Sequence, residues 1–124
     1  MTQPLQILVI LGSVREGRVA EPVGNWVMGQ GEGVAELALE LVDLREWNLP
    51  PYPFPKPPAM GGYTDPLQIA WAEKIGGADG YLLIAPEYNH GIPAPLKNAL
   101  DFVYAEWGRK PVGCLLYTSP SPRD

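Results

Sequence analysis

The sequence predicts an α/β fold in which strands and helices alternate around a parallel sheet. Three short apolar runs along the chain have the length and composition of buried strands. Stretches with apolar residues three and four positions apart lie between them, as in helices that cover a sheet. Glycine and proline stand where one element gives way to the next. Strands joined through helices need right-handed crossovers, so we expect a doubly wound parallel sheet.

The first half of the chain is predicted to form two strands and a helix. Strand one is expected at Gln6–Leu11, helix one at Val19–Met28 and strand two at Ala35–Leu41. The spacing of four apolar residues predicts one buried face of the helix: Val19, Val23, Trp26 and Val27. Alternating glycines after position 28 should end that helix.

The second half begins with a helix that has a clear start signal. Asp65 is a good N-cap and Pro66 suits the first helical position, so helix two should run from there to about Ile75. Trp71 lies at helical spacing and should join the core.

The loop between strand one and helix one is rich in groups that bind phosphate. Gly12, Ser13, Arg15, Gly17 and Arg18 fall where the helix begins. Backbone N–H groups and the helix dipole favour a dianionic phosphate there, and arginine side chains can hold it bidentately. The pattern is neither the dinucleotide-binding glycine motif nor a Walker loop. A surface turn with two solvated arginines is the alternative.

A second candidate loop follows strand three, which is predicted at Gly80–Ala85. Pro86 cannot donate to a sheet ladder, so the chain must leave the sheet there. The exposed turn then offers an acid, a planar aromatic and an amide, which are Glu87, Tyr88 and Asn89. Helix three is predicted at Leu96–Trp107. Loops at the carboxyl ends of strands bind ligands in open α/β sheets, so the two loops mark a candidate site.

Together, the two loops resemble those of the NADPH-dependent FMN reductase family, over about Leu5 to Gly113. The resemblance rests mainly on two motifs, Gly12-Ser13-x-Arg15-x-x-Arg18 and Pro86-Glu87-Tyr88-Asn89. It implies a flavodoxin-like fold whose complete sheet has the order 2-1-3-4-5, of which this chain would contribute strands one to three and the start of strand four. It also implies an NAD(P)H-dependent flavin oxidoreductase of the quinone or azo-dye reductase type.

The resemblance implies FMN as cofactor and NADPH or NADH as hydride donor. It places eight residues against FMN: Ser13, Arg15, Arg18, Val19, Pro86, Glu87, Tyr88 and Asn89. The first loop would hold the phosphate and the second the ring. The hydride would pass through bound FMN to a small-molecule acceptor, which is a quinone, an azo dye, a flavin or a metal ion. The cofactor carries this chemistry, so neither a catalytic side chain nor a metal ligand is expected.

Two other functions remain open on the sequence. A flavodoxin-type electron carrier would bind FMN without using NAD(P)H, although such carriers usually have a Ser/Thr-rich phosphate loop instead of two arginines. A non-functional fragment would bind nothing. His90 is the one histidine of the chain and is expected to pack within its loop.

Composition narrows the partners and the compartment. A net charge of −5 with nine basic residues gives no basic patch for nucleic acid. No apolar run approaches the roughly 20 residues of a transmembrane helix. A single cysteine and the lack of a signal-peptide pattern suit the cytoplasm. The resemblance implies a homodimer or homotetramer for a full-length parent protein.

A proline-rich connection at 47–58 separates the two halves. It is either a stiff extended linker or a segment that borders the active site and the dimer contact. Its aromatic residues and one beyond it would then cover the flavin edge or a second subunit; they are Trp47, Tyr52, Phe54 and Tyr63.

The last residues break the family pattern. We expect a partial flavodoxin-like domain at 1–113 and a disordered, non-native tail at 114–124, rich in Ser-Pro. One reading frame of a transposon-end adapter used in short-read sequencing encodes this tail, which suggests that the natural sequence continues beyond Gly113. The truncated chain should bind FMN poorly.

Overall fold

The computed structural model describes residues 3–117 and confirms a parallel α/β architecture. Four parallel strands form one sheet in the order β2-β1-β3-β4, as in the flavodoxin-like fold. The strands are β1 Leu5–Leu11, β2 Leu37–Asp43, β3 Gly80–Ala85 and β4 Val112–Leu116. The helices are α1 Ala20–Gly31, α2 Leu44–Trp47, α3 Pro66–Gly76 and α4 Ala94–Asp101, with short 3₁₀ helices at Pro58–Met60 and Ala105–Trp107.

All four strands end at the same edge of the sheet. Leu11 pairs with Asp43 on one side and with Ile84 on the other, while Ala85 pairs with Leu116. Because the strands are parallel, the residues that follow them lie side by side along this carboxyl edge. The topology therefore brings together the two loops that the sequence singles out.

The sheet carries a hydrophobic core on each face. On one face, Trp71 of α3 and Phe102 are fully buried, and the Trp71 indole N–H donates to Ala99 O at 3.0 Å. On the other face, α1 places Ala20 and Val27 against the sheet. The buried position of Trp71 confirms the prediction, and its hydrogen bond removes the cost of burying the indole N–H.

The buried face of α1 is only partly the predicted one. Val27 is buried and Val23 half-buried, but Trp26 is 61% exposed and Val19 48% exposed. The reason is the close approach of the helix to β1 at Gly24, where a Cβ atom would lie 2.7 Å from a methyl group of Leu11. A small residue in the contact sets the helix rotation, and Trp26 is turned to solvent.

Element boundaries differ from the predicted ones at three places. Helix α1 passes Gly29, the first of the glycines expected to stop it, and ends at Gly31. Strand β2 begins and ends two residues later than predicted, at Leu37 and Asp43. The third predicted helix is split into α4, which ends at Asp101, and a separate 3₁₀ turn.

The proline-rich connection packs on the core of the same chain. The rings of Trp47 and Trp71 meet edge to face, with 4.9 Å between their centroids. The Phe102 ring makes the same kind of contact with Tyr52, at 5.7 Å, and with Phe54, at 5.6 Å. Packing within this chain therefore accounts for Trp47, Tyr52 and Phe54 of the connection. Contact with FMN or a second subunit stays a prediction.

Strand β4 extends into the segment predicted to be disordered. Cys114 and Leu115 pair with Leu83 and Ile84 of β3, so the predicted disorder from residue 114 is wrong for the last three residues of this strand. These apolar residues can fill a parallel strand position whatever their origin. The rest of the predicted tail, residues 118–124, lies outside the described residues. The origin of the tail stays a prediction, which genomic DNA beyond the Gly113 codon would test.

No helix within residues 3–117 is both long enough and apolar enough to cross a membrane.

Candidate functional site

Two arginines hold the loop after β1 by its carbonyl oxygens. Arg18 Nη1 donates to Ser13 O at 2.7 Å, and Arg45 donates to Arg15 O at 2.7 Å and to Val14 O at 3.4 Å. In a trans peptide the C=O and the following N–H point in opposite directions. The N–H groups of Val14 and Glu16 therefore each point away from the guanidinium that holds the carbonyl of the same peptide, while the N–H of Arg15 donates to Ser13 Oγ at 3.3 Å. Backbone N–H groups of this kind suit an anion.

The Arg18 guanidinium forms its hydrogen bonds to other groups of this chain. Its side chain is 2% exposed, and it meets Asp43 through two hydrogen bonds of 2.7 and 2.6 Å. Its Nε and Nη2 donate to Glu21 Oε1 at 3.1 and 2.8 Å. With the bond to Ser13 O, all five of its N–H groups have acceptors. The predicted direct contact between Arg18 and a phosphate stays a prediction, and it would require part of this network to break.

The Arg18 guanidinium holds the pKa of the Asp43 carboxyl below its usual range, mainly through the hydrogen bonds and against the effect of burial. Asp43 Oδ1 also accepts the backbone N–H of Arg45 at 2.9 Å and so caps α2. One carboxylate thus connects the loop after β1 to the start of the next helix.

The other predicted residues of the first loop are differently placed. Ser13 is buried and its Oγ accepts the N–H of Arg15 at 3.3 Å. Arg15 is exposed, its Nη1 donates to Glu16 O at 3.0 Å, and within residues 3–117 it takes part in no ion pair. Val19 is half exposed and precedes α1 without a side-chain cap. Arg15 is therefore the cation of this loop that can meet an incoming anion.

The loop after β3 is a tight turn built from its own backbone. Tyr88 and Gly91 exchange two hydrogen bonds, Tyr88 N to Gly91 O at 2.9 Å and Gly91 N to Tyr88 O at 3.0 Å. The two residues between them both have positive φ, 53° at Asn89 and 66° at His90. That pattern is a type I′ turn, which favours Asn at the first central position and Gly at the second, where this chain has His90.

The turn fixes the exposure of the predicted ring-binding residues. Pro86 is buried at the end of β3, and Tyr88 is 43% exposed. Asn89 is exposed at the turn. The Glu87 side chain is 10% exposed, and its Oε2 lies 3.6 Å from Nδ1 of His90. An aromatic face and an amide are thus presented on a strained support at the carboxyl edge.

Tyr117, which follows β4, lies where the two loops meet. Burial raises the pKa of its phenol, while a hydrogen bond to Ser13 and the charges of Arg15 and Arg18 act in the opposite direction. The backbone N–H of Tyr117 donates to Ala85 O at 3.3 Å, at the end of β3. Tyr117 therefore contacts Ser13 of the first loop and the residue that precedes the second.

The sequence prediction missed Asp43, Glu21, Arg45 and Tyr117. Asp43 had a signal, since it is an acid at the carboxyl end of an otherwise apolar strand. Glu21 follows Arg18 by one helical turn, but ion pairs at that spacing are common on helix surfaces. Nothing local indicates Arg45. Tyr117 belongs to the segment assigned to the tail.

A cavity of about 530 Å³ opens beside the first loop. It lies between Val14, the start of α2 at Leu44 and Arg45, and the start of α4 at Ala94 and Pro95. Its walls are mostly apolar, with few polar groups, as in small-molecule sites. No group of acidic, histidine or cysteine side chains that could hold a metal ion occurs within residues 3–117.

Known proteins of one family resemble this chain over most of its length. A family model described as NADPH-dependent FMN reductase matches residues 5–123. An NAD(P)H-dependent FMN reductase of Schizosaccharomyces pombe is 44% identical over 114 residues, which are 90% of this chain and 57% of the relative. A 2-hydroxy-1,4-benzoquinone reductase of Burkholderia sp. is 46% identical over 107 residues, 85% of this chain and 53% of that protein.

Among solved structures, FerB of Paracoccus denitrificans, a flavoenzyme NAD(P)H:(acceptor) oxidoreductase, matches with a TM-score of 0.69 at 25% identity. The match covers 90% of this chain and 60% of FerB. The chain thus spans a little over half the length of these relatives. With its sheet order, its two loops and this match over most of its length, the chain belongs to the NADPH-dependent FMN reductase family.

Proposed function

We propose that the chain forms the FMN-binding part of an NAD(P)H-dependent flavin oxidoreductase that reduces a small-molecule electron acceptor. The observation that carries this proposal is the loop after β1. Its carbonyl oxygens are held by Arg18 and Arg45, so the N–H groups of Val14 and Glu16 point away from those guanidinium groups. Together with Arg15, they fit a dianionic phosphate.

The two loops fit the two ends of FMN. The phosphate would be held by the loop N–H groups, the Ser13 hydroxyl and the Arg15 guanidinium. The ring would lie against Tyr88 and Asn89 of the type I′ turn, where a planar aromatic and an amide suit a heterocycle that both donates and accepts hydrogen bonds. Pro86, Glu87 and Val19 would lie around these contacts. Bound FMN supplies the two-electron redox chemistry, and the residues of this chain bind and orient it.

We propose the hydride donor and the electron acceptor from the functions for which the relatives are named. We propose NADPH or NADH as donor, and a quinone, azo, flavin or metal-ion acceptor. A quinone is the best supported of these, because the Burkholderia relative is named for reduction of a benzoquinone. We further propose a cytoplasmic homodimer or homotetramer. The open cavity beside Val14 and Pro95 is a place for the acceptor or for a partner subunit.

The proposal is tested by flavin binding and turnover. Residues 1–113 are joined to the C-terminal part of the S. pombe relative, and this completed chain is tested beside the 124-residue chain. We expect the completed chain to bind FMN more tightly than riboflavin, which lacks the phosphate, and to oxidise NADPH with menadione.

Each other outcome has a distinct meaning. FMN binding without NADPH oxidation would identify an electron carrier. Equal affinity for FMN and riboflavin would refute the phosphate site. No flavin binding in either chain would refute the proposal.

A further inference from the structure

We propose that Arg18 and Asp43 act as a positioning pair, which sets the affinity for the FMN phosphate without contacting it. This inference rests on the proposed function and gives Arg18 a different role from a direct phosphate ligand. The pair would hold the loop after β1 in the shape that presents its N–H groups. Arg15 would then provide the charge that meets the phosphate.

Hydrogen-bond capacity gives the first reason. An arginine has five N–H groups, and those of Arg18 donate to Asp43, Glu21 and Ser13 O. A phosphate could bind Arg18 only by replacing one of these acceptors. With a side chain 2% exposed, Arg18 also offers no accessible edge.

Charge gives the second reason. Arg18 lies between two carboxylates, and Glu21 is also 3.5 Å from Arg45. Two cations and two anions balance within this cluster. It therefore adds little net attraction for a phosphate, and the exposed cation of the loop is Arg15.

Backbone geometry gives the third reason. The Arg18 bond to Ser13 O, at 2.7 Å, fixes the peptide plane whose other side carries the N–H of Val14. Because Asp43 ends β2 and pairs in register with Leu11, the guanidinium is anchored to the sheet. The pair thus attaches an otherwise exposed loop to a strand of the sheet and restricts its movement.

The substitution Asp43→Asn separates the two roles of Arg18. Asparagine is as good an N-cap as aspartate, so α2 keeps its cap, while the ion pair is lost. If Arg18 positions the loop, the loop loosens and FMN affinity falls by about ten-fold, with riboflavin affinity unchanged. If Arg18 is instead a phosphate ligand, the variant frees its guanidinium and FMN affinity stays the same or rises.

Glu40→Gln is the matched control. Glu40 lies on the same strand, three residues before Asp43, and its carboxylate also forms an ion pair, with Lys74. That pair lies away from the loop. FMN affinity should be unchanged in this variant. The double variant Arg18→Ala/Asp43→Asn should bind FMN no more weakly than Arg18→Ala, because both changes remove the same Arg18–Asp43 ion pair.

A second measurement requires no flavin and uses the full 124-residue chain. Limited digestion with trypsin, followed by mass spectrometry, reports cleavage after Arg15 and Arg18. We expect Asp43→Asn to be cut at these positions about ten times faster than the unsubstituted chain, and Glu40→Gln at the unsubstituted rate. Equal rates in all three chains would overturn the positioning role.

The two measurements distinguish failure of this inference from failure of the proposed function. Faster cleavage of Asp43→Asn, without any FMN binding, would support the positioning role of the pair and refute FMN as the cofactor. FMN binding that Asp43→Asn leaves unchanged or strengthens, while Arg18→Ala weakens it, rejects the positioning pair and keeps the cofactor.

Discussion

The loops after β1 and β3 reach the same edge of the sheet but are held in place in opposite ways. The loop after β1 takes its shape from side chains distant in sequence, with Arg18 bound to Asp43 and Arg45 bound to Val14 O and Arg15 O. The loop after β3 takes its shape from two hydrogen bonds within its own backbone. Substitution of a single side chain should therefore disrupt the first loop and leave the second largely intact.

The largest effect should come from Arg18→Ala. The change leaves Asp43 and Glu21 without their shared cation, and removing one partner of a buried ion pair costs about 3–5 kcal/mol. Because the Asp43 side chain is 18% exposed and that of Glu21 54%, we expect the lower end of this range. Urea unfolding followed by circular dichroism measures this loss. Arg15→Ala, a change to an exposed arginine of the same loop, should cost less than about 0.5 kcal/mol. Similar losses in the two variants would contradict the contrast between a structural and a ligand-facing arginine.

The next largest effect should be on binding, from Arg15→Ala. Loss of a charged hydrogen bond of about 1.5–3 kcal/mol corresponds to an FMN affinity about ten- to hundred-fold weaker. Riboflavin affinity should not change. Quenching of flavin fluorescence in the completed chain measures both. Arg109→Ala, at an exposed arginine before β4, is the control. Unchanged FMN affinity in the Arg15→Ala/Arg18→Ala double variant would refute the phosphate-loop assignment.

A smaller effect, of the opposite sign, is expected in the loop after β3. His90 has φ 66°, a left-handed conformation that glycine adopts without strain. His90→Gly should therefore stabilise the protein by about 1 kcal/mol. His90→Ala also removes the imidazole beside Glu87 but keeps a Cβ atom, so it should bring no such gain. Thermal melting of both variants decides whether backbone strain sets the difference.

The smallest effect is expected from pH, since the Asp43 carboxyl stays ionised throughout the neutral range. Its pKa is lowered in the folded protein by hydrogen bonds from Arg18. The stability from this pair is therefore complete above the unfolded pKa of about 3.9 and is lost as the pH falls through the folded value. The stability difference between the unsubstituted chain and Asp43→Asn should stay constant from pH 8 to about pH 5 and shrink below about pH 4. A difference that also changes between pH 6 and 8 would implicate another group.

The same contrast explains what the sequence could reveal. Strand β3 and the start of helix α3 were predictable, because an apolar run and the Asp65-Pro66 cap are local signals. The loop after β3 was predictable as a turn, although its type depends on the φ values of Asn89 and His90. The pairing of Arg18 with Asp43 was not predictable, because it joins residues 25 apart through sheet register.

The rotation of α1 was beyond local reasoning for a similar reason. Hydrophobic spacing places Trp26 inside, whereas the close contact of Gly24 with Leu11 turns it outside. Periodicity measures the hydrophobicity of a helix face, but the fit of small residues against a neighbouring strand decides which face is buried.

The central place of β1 also has a consequence for biosynthesis. Strand β1 pairs with β2 on one side and with β3 on the other, and the contact of Gln6 with Asp79 spans 73 residues. At a synthesis rate of about 5–20 residues per second, β1 and β2 are complete seconds before β3. During that interval one edge of the apolar β1 has no partner strand and is open to association with other nascent chains. A slowly translated stretch between β2 and β3 would lengthen this exposure, and a chaperone that shields strand edges would act at this stage.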